Sequence, residues 1–181
     1  MSIVYFIAQQ TMYFAIPLLI VALGGMFSER SGIVNIALEG IMVIGAFFGI
    51  GFINIFQDTM SGQTLLILAI LVAGLAGAIF SLFHAFAAIN LRADQTISGA
   101  ALNMFAPAFA VYTAKMIQGI QQIQFTDTFY IRSVPIFGDI PFIGPILFKN
   151  AYITTYIGLA IALISWFVIN HTRFGLRLRA C

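Results

Sequence analysis

The sequence predicts an all-α, polytopic transmembrane helical bundle with about five membrane helices. Three observations lead there. Of 181 residues, 61% are hydrophobic and only 8% are charged, against roughly 25% charged in soluble domains. Five apolar runs, at 3–27, 33–56, 65–89, 97–117 and 151–169, each approach the ~20 helical residues needed to cross a hydrocarbon core. These runs are apolar on every face, whereas barrel strands alternate. Backbone groups left unpaired at that depth have no water to bond, so helices remain. Residues 118–150 form one long outer loop, and the whole of 1–181 reads as part of a single membrane-embedded domain.

Composition also excludes several functions. The net charge of +2 comes from basic residues that are scattered or sit beside apolar runs, which argues against a nucleic-acid partner. Cys181 is the only cysteine, so neither an intrachain disulfide nor a cysteine metal cluster is expected. Met1-Ser2-Ile3-Val4 lacks the basic start of a signal peptide, and the first apolar run is expected to remain in the mature protein. No phosphate-binding glycine loop with its lysine, no metal-ligand spacing and no Ser-His-Asp set is present. The chain is therefore read as non-catalytic and as binding no cofactor or metal itself.

Taken in order, the first helix carries Gln9, Gln10 and Thr11 near one end and Pro17 further in. Amides at headgroup level and a proline kink are both tolerated in membrane helices. The stretch Ser28-Glu29-Arg30-Ser31-Gly32 then breaks the pattern. If a helix resumes at Ile33, Asn35 and Glu39 lie four apart on one of its faces. At ~1.5 Å per residue, Glu39 lies on the order of 9 Å inside the membrane. An intramembrane carboxylate facing lipid is costly, so both residues are expected inside the bundle. They serve either as interhelical packing bonds or as residues of a translocation path or gate. Gly45 and Gly49 form a GxxxG that favours close helix contact.

On the third helix Ala69, Ala73, Gly77, Ser81 and Ala85 recur every fourth residue, a small-residue stripe suited to tight packing. His84, near the same end, is either an interfacial histidine or a partner for Glu39. The link Asn90–Thr96 is short, so helices three and four should be antiparallel neighbours, and Asp94 or Thr96 can cap the fourth helix. Asn103 counts to about the depth of Glu39. Glu39, Asn103 and His84 are thus expected to form a polar layer, able to satisfy a hydroxyl-bearing solute that would otherwise lose several kcal/mol on leaving water. Gly138, Asp139, Pro141, Gly144 and Pro145 punctuate the outer loop, read as a short hairpin or an interfacial helix. The tail His171–Arg179 interleaves Arg173, Arg177 and Arg179 with apolar residues, which suits anionic headgroups.

Three stretches carry a family resemblance: SERSGIVNIALEGIMVIGAFFG at 28–49, NLRADQTISGAALNM at 90–104 and TRFGLRLRA at 172–180. In order and separation they resemble the permease subunits of bacterial ABC importers for nucleosides, and more distantly for ribose and related sugars. The resemblance implies a translocation path for a nucleoside or related sugar; Asn35, Glu39 and Asn103 are its candidate path or gate residues because they are polar within apolar helices. It implies partners as well: an ATP-binding subunit that uses the ATP, a second permease chain (identical or homologous), and an extracellular substrate-binding lipoprotein. In such permeases the basic tail leads into a cytoplasmic coupling helix and further membrane helices, so a fragment of a longer permease is expected.

Basic residues favour a cytoplasmic side holding Arg30, Arg92, Arg173, Arg177 and Arg179, with Lys115, Arg132 and Lys149 outside. The N-terminus is then outside the bacterial plasma membrane and the C-terminus inside. Two other functions fit parts of the sequence. A secondary transporter would need coupling-ion carboxylates and an inverted repeat; a membrane scaffold subunit explains helices and small stripes but not Asn35, Glu39 and Asn103.

Overall fold

In the computed structural model, residues 2–30, 32, 34–60, 62–126, 128–133 and 149–179 are described. They form α1 (Ser2–Arg30), α2 (Leu38–Phe56), α3 (Gln63–Ile89), α4 (Gln95–Gln118), β1 (Tyr130–Ser133), β2 (Lys149–Tyr152), α5 (Ile153–His171) and α6 (Arg173–Arg179). Five of the helices, α1 to α5, are long and apolar enough to cross a membrane. The protein is an all-α polytopic helical bundle. Outside the described residues lie Ser31 and Ile33 of the expected break, the loop features at Gly138, Asp139, Pro141, Gly144 and Pro145, and the side chains of Arg132, Lys149 and Arg179. The chain divides into two compact units, Met1–Arg30 with Phe129–Cys181, and Ser31–Thr128.

In the first unit α1 packs on α5. Gly158 allows this contact, because a Cβ there would run into Ile16 Cγ2. The rings of Tyr13 and Tyr152 meet edge-on at 5.0 Å. β1 and β2 form an antiparallel pair in the register Tyr130↔Tyr152, Ile131↔Ala151 and Ser133↔Lys149, so a strand pair spans the segment between α4 and α5. At the end of α5, Thr172 Oγ1 donates to Val168 O at 2.6 Å and accepts from Gly175 N at 3.3 Å. It closes one helix and caps the next. Gly175 is required there, since a Cβ would run into the backbone oxygen of Ile169.

The second unit is α2 packed on both α3 and α4. The GxxxG of α2 meets the small stripe of α3: a Cβ on Gly45 would be 3.0 Å from Ala73 O, and one on Gly49 would be 3.0 Å from Ala73 Cβ. Without a hydrophobic drive between membrane helices, such close backbone approach supplies the association. Ile44, Phe80 and Ala106 form the buried centre, one from each helix, with Ile41, Leu102 and Phe109 packed around them. Phe105 stacks between Phe80 and Phe109 at 6.3 and 5.7 Å. The α3–α4 link turns tightly with Arg92 at φ 51, a left-handed conformation uncommon outside glycine. Asp94 caps α4, accepting from Thr96 N at 2.8 Å and Ile97 N at 3.0 Å. After the left-handed Gly119, the chain is held to the end of α2: Asn54 Nδ2 donates to Gln124 O at 2.6 Å, and Gln57 Oε1 accepts from Thr126 N at 3.0 Å.

α2 starts at Leu38, five residues later than the expected start at 33. Residues 34–37 are irregular chain and turn, so Asn35 does not share a helical face with Glu39. The physical reason is local: Asn35 Oδ1 accepts from Ala37 N at 3.1 Å, a side-chain turn that competes with helix.

Candidate functional site

The break before α2 gathers most of the polar side chains singled out by sequence. A helix start leaves four backbone N–H groups without intrahelical partners. Ala37, at the N-cap position of α2, has no side-chain oxygen to offer and makes no capping bond. The cap comes from α4. Asn103 Oδ1 accepts from Gly40 N at 2.7 Å, and Asn103 Nδ2 donates to Ile36 O, also at 2.7 Å. Both halves of one amide are thus used on the backbone that flanks the start of α2. Two turns earlier on α4, Gln95 Oε1 accepts from Val34 N at 3.0 Å.

Two glycines let the backbones approach this closely. A Cβ on Gly40 would lie 2.8 Å from Leu102 O, and one on Gly99 would lie 3.1 Å from Ala37 N. Gln95, Gly99 and Asn103 are spaced by four and so lie along one face of α4. Sequence reasoning noted Gln95 only as part of a capping segment and missed its long-range partner. The four-residue spacing 95, 99, 103 was the available signal.

Glu39 stands in the first turn of α2, where a carboxylate is favoured by the helix dipole. Its side chain is exposed, and no partner for it is found among the described residues. His84 is buried at 5% exposure. Its Nδ1 lies at hydrogen-bond distance, 2.9 Å, from Ser98 Oγ, and its Nε2 has no partner among the described residues. The structure therefore brings Asn103 to the backbone of Ile36 and Gly40, and His84 to Ser98; it joins neither to Glu39. The expected layer of three side chains resolves into two separate interhelical contacts and one exposed carboxylate, because equal depth along two helices does not fix the direction in which their side chains point.

Arg173 and Arg177 are exposed on α6, beside the exposed Phe174 and Leu176. In the second unit two recesses open on the helices. One, of ≈ 540 Å³, is lined by Phe48, Phe80, Phe83, Phe105 and Phe109 together with aliphatic residues, and offers a polar solute no hydrogen bonds. The other, of ≈ 250 Å³, lies on the α2–α4 seam among Val43, Phe47, Ala110, Gln121 and Gln122. Among the described residues, no group of three His, Cys, Asp or Glu is placed to hold a metal ion.

A family profile described as branched-chain amino acid transport system / permease component matches residues 7–181. The chain is 47% identical over 99% of its length to the guanosine ABC transporter permease protein NupQ of Bacillus subtilis, covering 56% of that protein. It is 41% identical over 96% of its length to the nucleoside ABC transporter permease protein NupC of Lactococcus lactis, covering 55% of that protein. A putative glucose ABC transporter permease protein of Haloferax volcanii, TsgC13, is 27% identical over 99% of the chain and 52% of its own length. The chain thus spans about half the length of the curated relatives it matches. No solved structure gives a significant match.

Proposed function

The chain belongs to the branched-chain amino acid transport system / permease component family, and on that premise we propose that it works in an ATP-driven importer, helping to form the path through the membrane for a nucleoside. The observation that carries this reading is the 47% identity to a guanosine permease along 99% of the chain. The partners that follow are a separate ATP-binding subunit, where ATP is hydrolysed, a second permease chain and an external substrate-binding protein. The break before α2 and the link Asn90–Asp94 lie on the cytoplasmic side in this reading, with the N-terminus outside and the C-terminus inside. Glu39 is the path residue: an exposed carboxylate in the first turn of a membrane helix faces water or solute in preference to lipid. Asn35 and Asn103 act at the same gate by holding the backbone from which Glu39 projects.

The test is uptake of labelled guanosine by cells that carry or lack the gene for this chain. The expected result is uptake lost on deletion, abolished by ATP depletion with arsenate and kept when a protonophore collapses the proton gradient. Uptake that survives deletion overturns the reading and favours a scaffold role. Uptake that follows the proton gradient favours a secondary transporter.

A further inference from the structure

α2 has no cap of its own, and the residues that replace it all come from one face of α4. Asn103 holds Ile36 O and Gly40 N, each at 2.7 Å, and Gln95 holds Val34 N at 3.0 Å. Asn35 cannot take over, since its Oδ1 already accepts from Ala37 N. Peeling the break away from α4 would leave two backbone N–H groups and a carbonyl without these partners, and Gly40 N lies in a buried position where an unpaired group is costly. We infer that Gln95 and Asn103 are positioning residues: by binding Val34, Ile36 and Gly40 from one face of α4, they make residues 34–40, with Glu39, travel with α4 as one body through the transport cycle. The inference rests on the importer reading, and it places the gate's movement at other faces of α2 and α4.

A reversible cross-link tests it. A Cβ on Gly99 stands 3.0 Å from Ile36 Cβ, close to the about 3.5–4.5 Å between Cβ atoms of a disulfide. Ile36→Cys and Gly99→Cys are introduced into the complete importer after its native cysteines, Cys181 included, are replaced by serine. The expected result in native membranes is a cross-link yield that is the same at rest and after trapping with ATP and vanadate, with guanosine uptake equal in the oxidised and reduced protein. A yield that changes with ATP, or uptake lost on oxidation and restored by reductant, overturns the inference.

Because Gly99→Cys adds volume at a tight contact, a second series stands beside it. Asn103→Asp keeps an acceptor for Gly40 N, whereas Asn103→Leu removes both bonds. The expected order of uptake is wild type, then Asn103→Asp, then Asn103→Leu, the last reduced at least about fivefold, the scale of one lost cap. If Asn103→Asp fails as fully as Asn103→Leu, the amide acts on the solute and not on the helix start. Absence of guanosine uptake in the unsubstituted protein overturns the importer reading instead, and the cross-link yield with and without ATP still decides whether the break stays with α4.

Discussion

Asn103 and Glu39 are both polar residues on apolar helices, yet their surroundings give them different tasks, and substitution should separate these. Asn103→Leu leaves Gly40 N and Ile36 O unpaired, which is expected to cost ~1–3 kcal/mol and to lower the melting temperature in detergent. Glu39→Gln alters an exposed side chain without partners among the described residues, so stability should stay within about 0.5 kcal/mol. Under the proposed role, uptake through Glu39→Gln falls on the order of tenfold, ~1.4 kcal/mol in barrier height. A thermal melt and an uptake assay on the same preparations check both. That Asn35 and Asn103 would need partners was legible in the sequence, because an amide inside an apolar run calls for one, and both have them. Their geometry was not. Counting residues gives depth along a helix, whereas partners depend on where the helix starts and how it is rotated, and the turn made by Asn35 delays the start of α2 to Leu38.

At the scale of elements, packing was more legible than capping. The GxxxG of α2 and the stripe of α3 were visible as small residues four apart, and they do meet, Gly45 and Gly49 against Ala73 and Ala69. Gly49→Leu must displace Ala73 Cβ and Ala69 O, each within 3.2 Å of the new Cβ. Overpacking of this kind is expected to cost ~1–3 kcal/mol. Gly74→Ala, where an added Cβ meets nothing within 4 Å, should be neutral or slightly stabilising because alanine favours helix. Melting temperatures of the two variants against wild type decide the matter. The cap of α4 could be narrowed to Asp94 or Thr96 from the sequence, because donor and acceptor are neighbours, and Asp94 makes it. The cap of α2 could not: its acceptor is 63 residues away, and no local motif announces it.

For the molecule as a whole, hydropathy was sufficient to give five helices long and apolar enough to cross a membrane, but it could not divide the chain into Met1–Arg30 with Phe129–Cys181 and Ser31–Thr128. That division depends on which helices touch, and contact in a membrane is set by shape and polar pairing more than by apolar content. The proposed orientation makes its own prediction. A cysteine in place of Ile120, after α4, should react with a membrane-impermeant maleimide on intact cells, and one in place of Arg92, before α4, only after the cells are opened. The reverse pattern would invert the topology.

The borrowed cap of α2 also sets a clock. A chain made at about 5–20 residues per second separates Gly40 from Asn103, 63 residues later, by roughly 3–13 s. For that interval the start of α2 is a frayed end in the insertion machinery, and only the arrival of α4 completes it. Slowing synthesis between α2 and α4 should therefore raise the share of newborn chains taken by membrane proteases, whereas in Asn103→Leu, which never gains that cap, the loss should not depend on the speed of synthesis.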